Sequence, residues 1–369
     1  MRKELLHIIK RLMSFNTIKK LSPLGGWGAL FLIFACSSPS DEIVDDELFY
    51  LQASAMLSEE TADAKPVTRA HWENDNRFVW DDTNNEMVIF VKESPSGAVV
   101  NWGEKPSCGA RVKKLTEAED GISLASITSN SGMLKTDIQR LTIGQSPVYF
   151  LSPIGAGNGS SVSGSVVTMA LPDEFAQPEE THSLADFAKY TYIKAESTIS
   201  EISNTTIWAE PAQFTGIPAV IRFIVTNDRY TSVKINSITL TPTTGEGFSK
   251  TVAWNPGSPN DLSYSSEKHD YVKATMATDI LGPKDGEHYS KEYFVFIFPG
   301  TFTSATLTLE GKDNFGNDYN IGNDFSYSCG VSDKTFVGNR IYTWNLNVAD
   351  NFINLSFNGY EDNDNIFQW

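Results

Sequence analysis

The chain has 369 residues, 46 of them Asp or Glu and 29 Lys or Arg, for a formal charge of −17, and only three cysteines. No basic cluster appears outside the first twenty residues, which excludes a nucleic-acid binder, because phosphate backbones need clustered Lys and Arg. Three cysteines without a CxxC spacing exclude a disulfide scaffold and a zinc ribbon. A single core rarely grows past about 250 to 300 residues, so two domains are expected.

At the start, Arg2, Lys3, Lys10, Arg11, Lys19 and Lys20 stand against one acid, Glu4, and an apolar run follows from Gly25 to Ala35. A basic segment, an apolar stretch too short to span a bilayer and a small final residue describe a secretory signal over residues 1–35. Next comes Cys36, and Leu32-Ile33-Phe34-Ala35-Cys36 is similar to the lipobox of bacterial lipoproteins, apart from the large Phe34. That similarity implies that Cys36 becomes the mature N terminus and receives fatty-acyl chains, each buried methylene contributing about 0.8 kcal/mol to membrane anchoring. The alternative is an ordinary signal peptide followed by an unmodified cysteine. Asp41, Glu42, Asp45, Asp46 and Glu47 resemble the surface-export signal of Bacteroidetes lipoproteins. Without residues 1–35 the chain holds 23 bases and 45 acids, a charge of −22. Such a surface repels anionic headgroups, so attachment has to come from the lipid.

Phe49, Leu51, Ala53, Ala55 and Leu57 then alternate with Tyr50, Gln52 and Ser54. Period 2 fits a strand with one buried face; a solvated linker between lipid and domain fits the acidic surroundings equally well. Beyond Arg69 the spacing predicts short strands over 87–92, 121–126, 147–153, 165–171, 190–196, 206–210, 219–226, 232–241, 293–298, 304–310, 324–328, 339–348 and 353–357. One short helix is predicted over 179–189, with Ser183 as N-cap. Strands in this rhythm, parted by Gly, Pro, Asn, Asp and Ser, mean an all-β chain of antiparallel β-sandwiches. Ser, Asn and Thr accumulate between Ala195 and Gln213 before a fresh strand pattern begins at Phe214, which places the domains at 70–200 and 201–369.

Nothing in the sequence points to catalysis, a cofactor or a metal. His7, His71, His182, His269 and His288 are scattered, and no pair has the spacing of a zinc helix. The Gly155–Gly159 run lacks the Lys of a phosphate loop and reads as a hairpin turn. No GxSxG elbow occurs. The acid-rich stretches 313–318 and 361–365 lack the ligand spacing of a calcium loop. Cys108 and Cys329 fall on opposite sides of the expected domain break and read as separate buried thiols, the alternative being a disulfide that staples the two domains together. Trp72, Trp80, Trp102, Trp208, Trp254, Trp344 and Trp369 keep a second reading open, a surface glycan-binding lipoprotein, although aromatics in strands more often pack in cores.

Several segments taken together resemble the fimbrillin family of Bacteroidetes, the subunits of type V pili. They are the lipobox with its acidic leader, the Thr68-Arg69-Ala70 junction, Phe78-Val79-Trp80-Asp81-Asp82 followed by Met87-Val88-Ile89-Phe90, and Leu171-Pro172-Asp173-Glu174-Phe175 leading to Tyr190-Thr191-Tyr192. The strand from Phe214 to Asn227 and the closing Gly338-Asn339-Arg340-Ile341-Tyr342-Thr343-Trp344 also fit. The resemblance implies two transthyretin-like β-sandwich domains in tandem, in a lipoprotein precursor held at the outer membrane and exposed on the cell surface. It further implies an arginine-specific surface protease cutting between Arg69 and Ala70. The acidic leader 36–69, with its strand Phe49, Leu51, Ala53, Ala55 and Leu57, is then removed, and a strand from a neighbouring pilus subunit replaces it. Such addition takes main-chain bonds from an open edge and specificity from pockets for alternate side chains. The donor-strand candidates are Ile353, Leu355 and Phe357, which read equally as the last strand of the chain's own second domain. The implied product is a stalk or accessory subunit of a fimbrium that supports adhesion, with no enzymatic activity.

Overall fold

Alternation of branched or aromatic with polar residues runs through most segments, and such patterns settle as half-buried strands. The computed structural model describes residues 48–57, 70–73, 77–80, 82–115, 123–155, 157–178, 184–229, 231–258, 260–280, 288–314, 324–349 and 353–357, and within them the protein is all-β. Strands are numbered along the chain.

The first sheet contains β1 (Leu48–Leu57), β4 (Thr83–Lys92), β6 (Cys108–Lys114), β7 (Ser123–Ser129), β9 (Pro147–Ser152), β13 (Ile193–Ser203), β14 (Thr206–Ala209) and β15 (Ala212–Gly216). Two short strands join it, β5 (Val99–Val100) on β4 and β8 (Met133–Leu134) on β1. Its order runs from β14 and β15 through β13, β9, β4 and β6 to β7. Because β1 pairs with β7 on one flank and with β14 and β15 on the other, the sheet closes on itself as a ring. Its inward residues include Ile89, Val112, Ile127, Phe150 and Phe214, all buried. A hairpin of β2 (Ala70–Glu73) and β3 (Arg77–Trp80) forms a two-stranded sheet of its own.

Three further sheets follow. The second joins β10 (Ser161–Ser163), β11 (Val166–Ala170), β18 (Thr251–Trp254) and β19 (Leu262–Tyr264). It covers the outer side of the ring, where Trp254 packs edge-on against Phe90 and Tyr149. The buried Lys92 ties the same junction, its Nζ donating to the carbonyls of Pro95 (3.0 Å) and Gly257 (3.3 Å). The third sheet is β12 (Glu174–Ala176), β20 (Val272–Ile280), β17 (Ser232–Pro242), β22 (Gly300–Asn314) and β23 (Asp324–Phe336), in that order. The fourth is β21 (Tyr289–Ile297), β16 (Ala219–Asn227), β24 (Ile341–Val348) and β25 (Ile353–Phe357). Ring contacts join these last two, Phe175 to Phe296 and Phe336 to Trp344. In β17 a bulge between Ile235 and Ser237 moves the buried positions from odd to even, so Val233 and Ile235 share the core with Ile238 and Leu240.

The structure differs from the expected organisation in three places. The polar stretch near residue 204 is a hairpin turn, not a linker: Asn204 adopts φ 51° and Ser203 pairs with Thr206. The first sheet therefore continues to Gly216, past the boundary expected at 200, and β11 and β12 pair forward with β18 and β20. All described residues fall in one compact unit, Asp45–Trp369. The helix expected over 179–189 is a 3₁₀ segment, Leu184–Tyr190, with residues 179–183 outside the described set. The Gly155–Gly159 run joins β9 to β10 in different sheets, so it is a crossover and not a hairpin turn.

Candidate functional site

The strand β1 is where sequence and fold meet on one feature. Its alternation is realised as expected for a strand: Leu51, Ala53 and Ala55 are buried, Gln52 and Ser54 half-buried, and Phe49 is partly buried against the core. On one flank it runs antiparallel to β7, from Gln52 opposite Thr128 to Leu57 opposite Ser123. On the other it runs parallel to β14 at Tyr50, Leu51 and Gln52, and to β15 at Ala55 and Met56. Tyr50 N–H donates to Thr205 O (2.8 Å), which carries the ladder into the β13–β14 turn. Where the β7 ladder ends, Leu51 N–H donates to Ser129 Oγ (2.9 Å) and β8 takes over at Phe49 and Leu48. The turn before β8 needs Gly132, because a Cβ there would lie 2.8 Å from the Leu48 Cβ.

The inward side of β1 is narrow. Ala125, Ala55 and Ala212 stand side by side on β7, β1 and β15, all fully buried, and Ala53 lies beside Ile127. Phe214, two residues after Ala212, and Phe150 point to the same interior, their rings 6.0 Å apart and flanking Ala195. Phe214 stands on β15, which flanks β1, and Phe150 on β9, two strands further round the ring. Sequence reasoning singled out Ala53 and Ala55 but missed Ala125 and Ala212 as their neighbours. Ala125 lay in an expected strand with no mark of its register, and Ala212 in a stretch taken as the domain junction.

After Leu57 the next described residue is Ala70, which opens β2 opposite Trp80. Cys36 and Arg69 lie outside the described residues, as do the side chains of Leu57, Ala70 and Phe357. At the other end of the chain, Ile353 and Leu355 are half-buried, and β25 pairs with β24 through Val348–Ile353 and Leu346–Leu355. In this structure they form the edge of the chain's own fourth sheet.

Elsewhere the described residues hold no cluster of three metal-ligating side chains. The buried His269 lies with Nδ1 2.6 Å from Asp173 Oδ1, which fastens the segment before β12 to the turn before β20. Both later cysteines are free thiols, Cys108 buried and Cys329 half-buried. Trp102, Trp254 and Trp344 are core residues and Trp208 is half-buried, so these four form no exposed aromatic platform.

No family model and no curated protein matches the chain. Similar solved structures include a candidate cell adhesion protein from Bacteroides uniformis, with 11% identity over 86% of this chain and 97% of that one, at a TM-score of 0.46. A fimbrial assembly protein from Parabacteroides distasonis shows 9% identity over 84% of this chain and 94% of its own, at 0.37. The tip fimbrial protein Mfa3 from Porphyromonas gingivalis, with C-terminal truncation, shows 10% identity over 84% and 98%, also at 0.37. Identities and TM-scores this low leave the function of the chain to its own geometry.

Proposed function

We propose that the protein is a structural subunit of a cell-surface pilus, exported as a lipoprotein on Cys36 and made competent for assembly when an arginine-specific protease cuts after Arg69. The observation that supports this reading is the place of β1: it closes the first sheet, and its only onward connection to the rest of the protein runs through residues 58–69. One cut in that connection severs the strand from the rest of the chain, and its departure then opens the edges of β7 and of β14 and β15 together with a slot lined by alanines. An edge of unpaired main-chain groups beside apolar pockets is a site for strand addition. The occupant in this reading is an extended segment of a neighbouring subunit. The ring and the paired third and fourth sheets then stand for two transthyretin-like sandwiches in tandem. The buried tryptophans lend no support to the glycan-binding alternative, and no catalytic role belongs to the proposal.

The test uses cells. Filaments sheared from cells that make the native chain should contain it without residues 36–69, whereas the Arg69→Ala chain should stay with the outer membrane at full length. Absence of the native chain from the sheared filaments, or its presence there with the leader intact, would reject the proposal.

A further inference from the structure

We infer that the slot closed by β1 selects its replacement by size, and that the strand it accepts comes from a different protein and not from the C-terminal segment of a second copy of this chain. The inference rests on the strand-replacement reading above and names the partner. Two neighbouring inward positions of the slot, those of Ala53 and Ala55, are buried and hemmed in by Ala125, Ala212 and Ile127 on the flanking strands. Phe150 and Phe214 are buried in the same core, in the row that continues to Leu57. A larger side chain at either position has to displace buried core residues, Ile127 beside Ala53 among them, and overpacked cores resist that. Leu51 sets a third requirement, a large apolar residue one step earlier, against Ile207 on β14. A suitable strand therefore reads large, small, small at alternate positions.

The chain's own C-terminal segment does not meet this pattern. Between Ile341 and Trp369 the small residues are Ala349, Ser356 and Gly359, and no two of them stand two positions apart. Every register, in either direction, places a residue larger than serine at one or both of the narrow positions. Set in the direction of β1, the register with Leu355 at position 51 puts Phe357 at 53, and the one with Phe357 at 51 puts Glu361 at 55. The partner recognised by the slot is thus an extended apolar segment with Gly, Ala or Ser at two successive inward positions.

The experiment uses the full chain cut with an arginine-specific protease and three labelled peptides: residues 47–58, the same peptide with Ala53→Leu and Ala55→Leu, and residues 347–358. The native leader peptide should enter the cut protein and compete with the retained leader. The doubly substituted peptide should bind about tenfold more weakly or worse. Residues 347–358 should not compete, and the cut chain alone should stay monomeric. If the C-terminal or the doubly substituted peptide competes as well as the native one, the size selection is overturned while strand replacement stands. If no peptide enters, native included, strand replacement itself fails. An Ile127→Ala chain supplies a second reading: enlarging the slot beside position 53 should bring the doubly substituted peptide closer to the native one, and an unchanged ratio would count against the proposal.

Discussion

Cys108 sits on the inward face of β6, opposite Ile89, and burial pushes its thiol from 9.0 up to about 12. Tyr149 is also pushed up to about 12, first by burial and then by Glu196 beside it. Both groups are neutral in the native protein at a pH where the unfolded chain would already have lost the proton. The stability they contribute is therefore complete below about 9 and is lost as the pH climbs towards 12. Denaturant midpoints should hold level up to that point and then fall, and Cys108→Ala should remove the earliest part of the fall. A midpoint that rises with pH in this range would contradict the assignment. At neutral pH a thiol reagent should modify Cys329, half-buried on β23, and leave Cys108 untouched until denaturant is added; mass spectrometry reads both outcomes.

Among the elements, β21 shows how a sheet edge is sealed without another strand. The side chain of Gln177 donates from Nε2 to the carbonyls of Phe175 and Phe294 (2.9 Å each) and accepts at Oε1 from Phe294 N–H (3.0 Å), as a backbone partner would. Gln177→Ala would leave both Phe294 groups unmatched inside the protein, at a cost of about 1–3 kcal/mol, measurable by urea titration. A variant as stable as the native chain would show that water replaces the amide. Elements with bulky alternation were legible in advance: β25 coincides with the expected 353–357, and β17 begins where expected at Ser232. Several strands escaped notice: β6 turns Cys108 and Ala110 inward, whereas β18 turns in Val252 and Trp254 but is only four residues long. Length together with side-chain size was what made a strand visible.

For the whole molecule, the shared second sheet joins the two halves of the sequence, since β11 pairs with β18 and Trp254 rests on the ring. The two halves should accordingly unfold in one transition, seen at the same temperature by calorimetry and by tryptophan fluorescence. Trp254→Ala should lower that temperature, with a loss of about 3–5 kcal/mol typical of a buried aromatic; two separated transitions in the native chain would disprove the coupling. Of the candidate site, the alternation at Phe49 to Leu57 was readable, but the closure of the ring was not. Closure depends on β7, β14 and β15, which are distant in sequence and meet only through tertiary pairing. The position of β1 between two ladders also has a mechanical meaning. A pull from its N-terminal end runs lengthwise along the strand, nearly at right angles to the hydrogen bonds with β7. Bonds on both flanks are then strained together, not peeled one after another. The strand thus resists being drawn out along its axis, and any segment paired in its place in the same direction would have the same tensile grip.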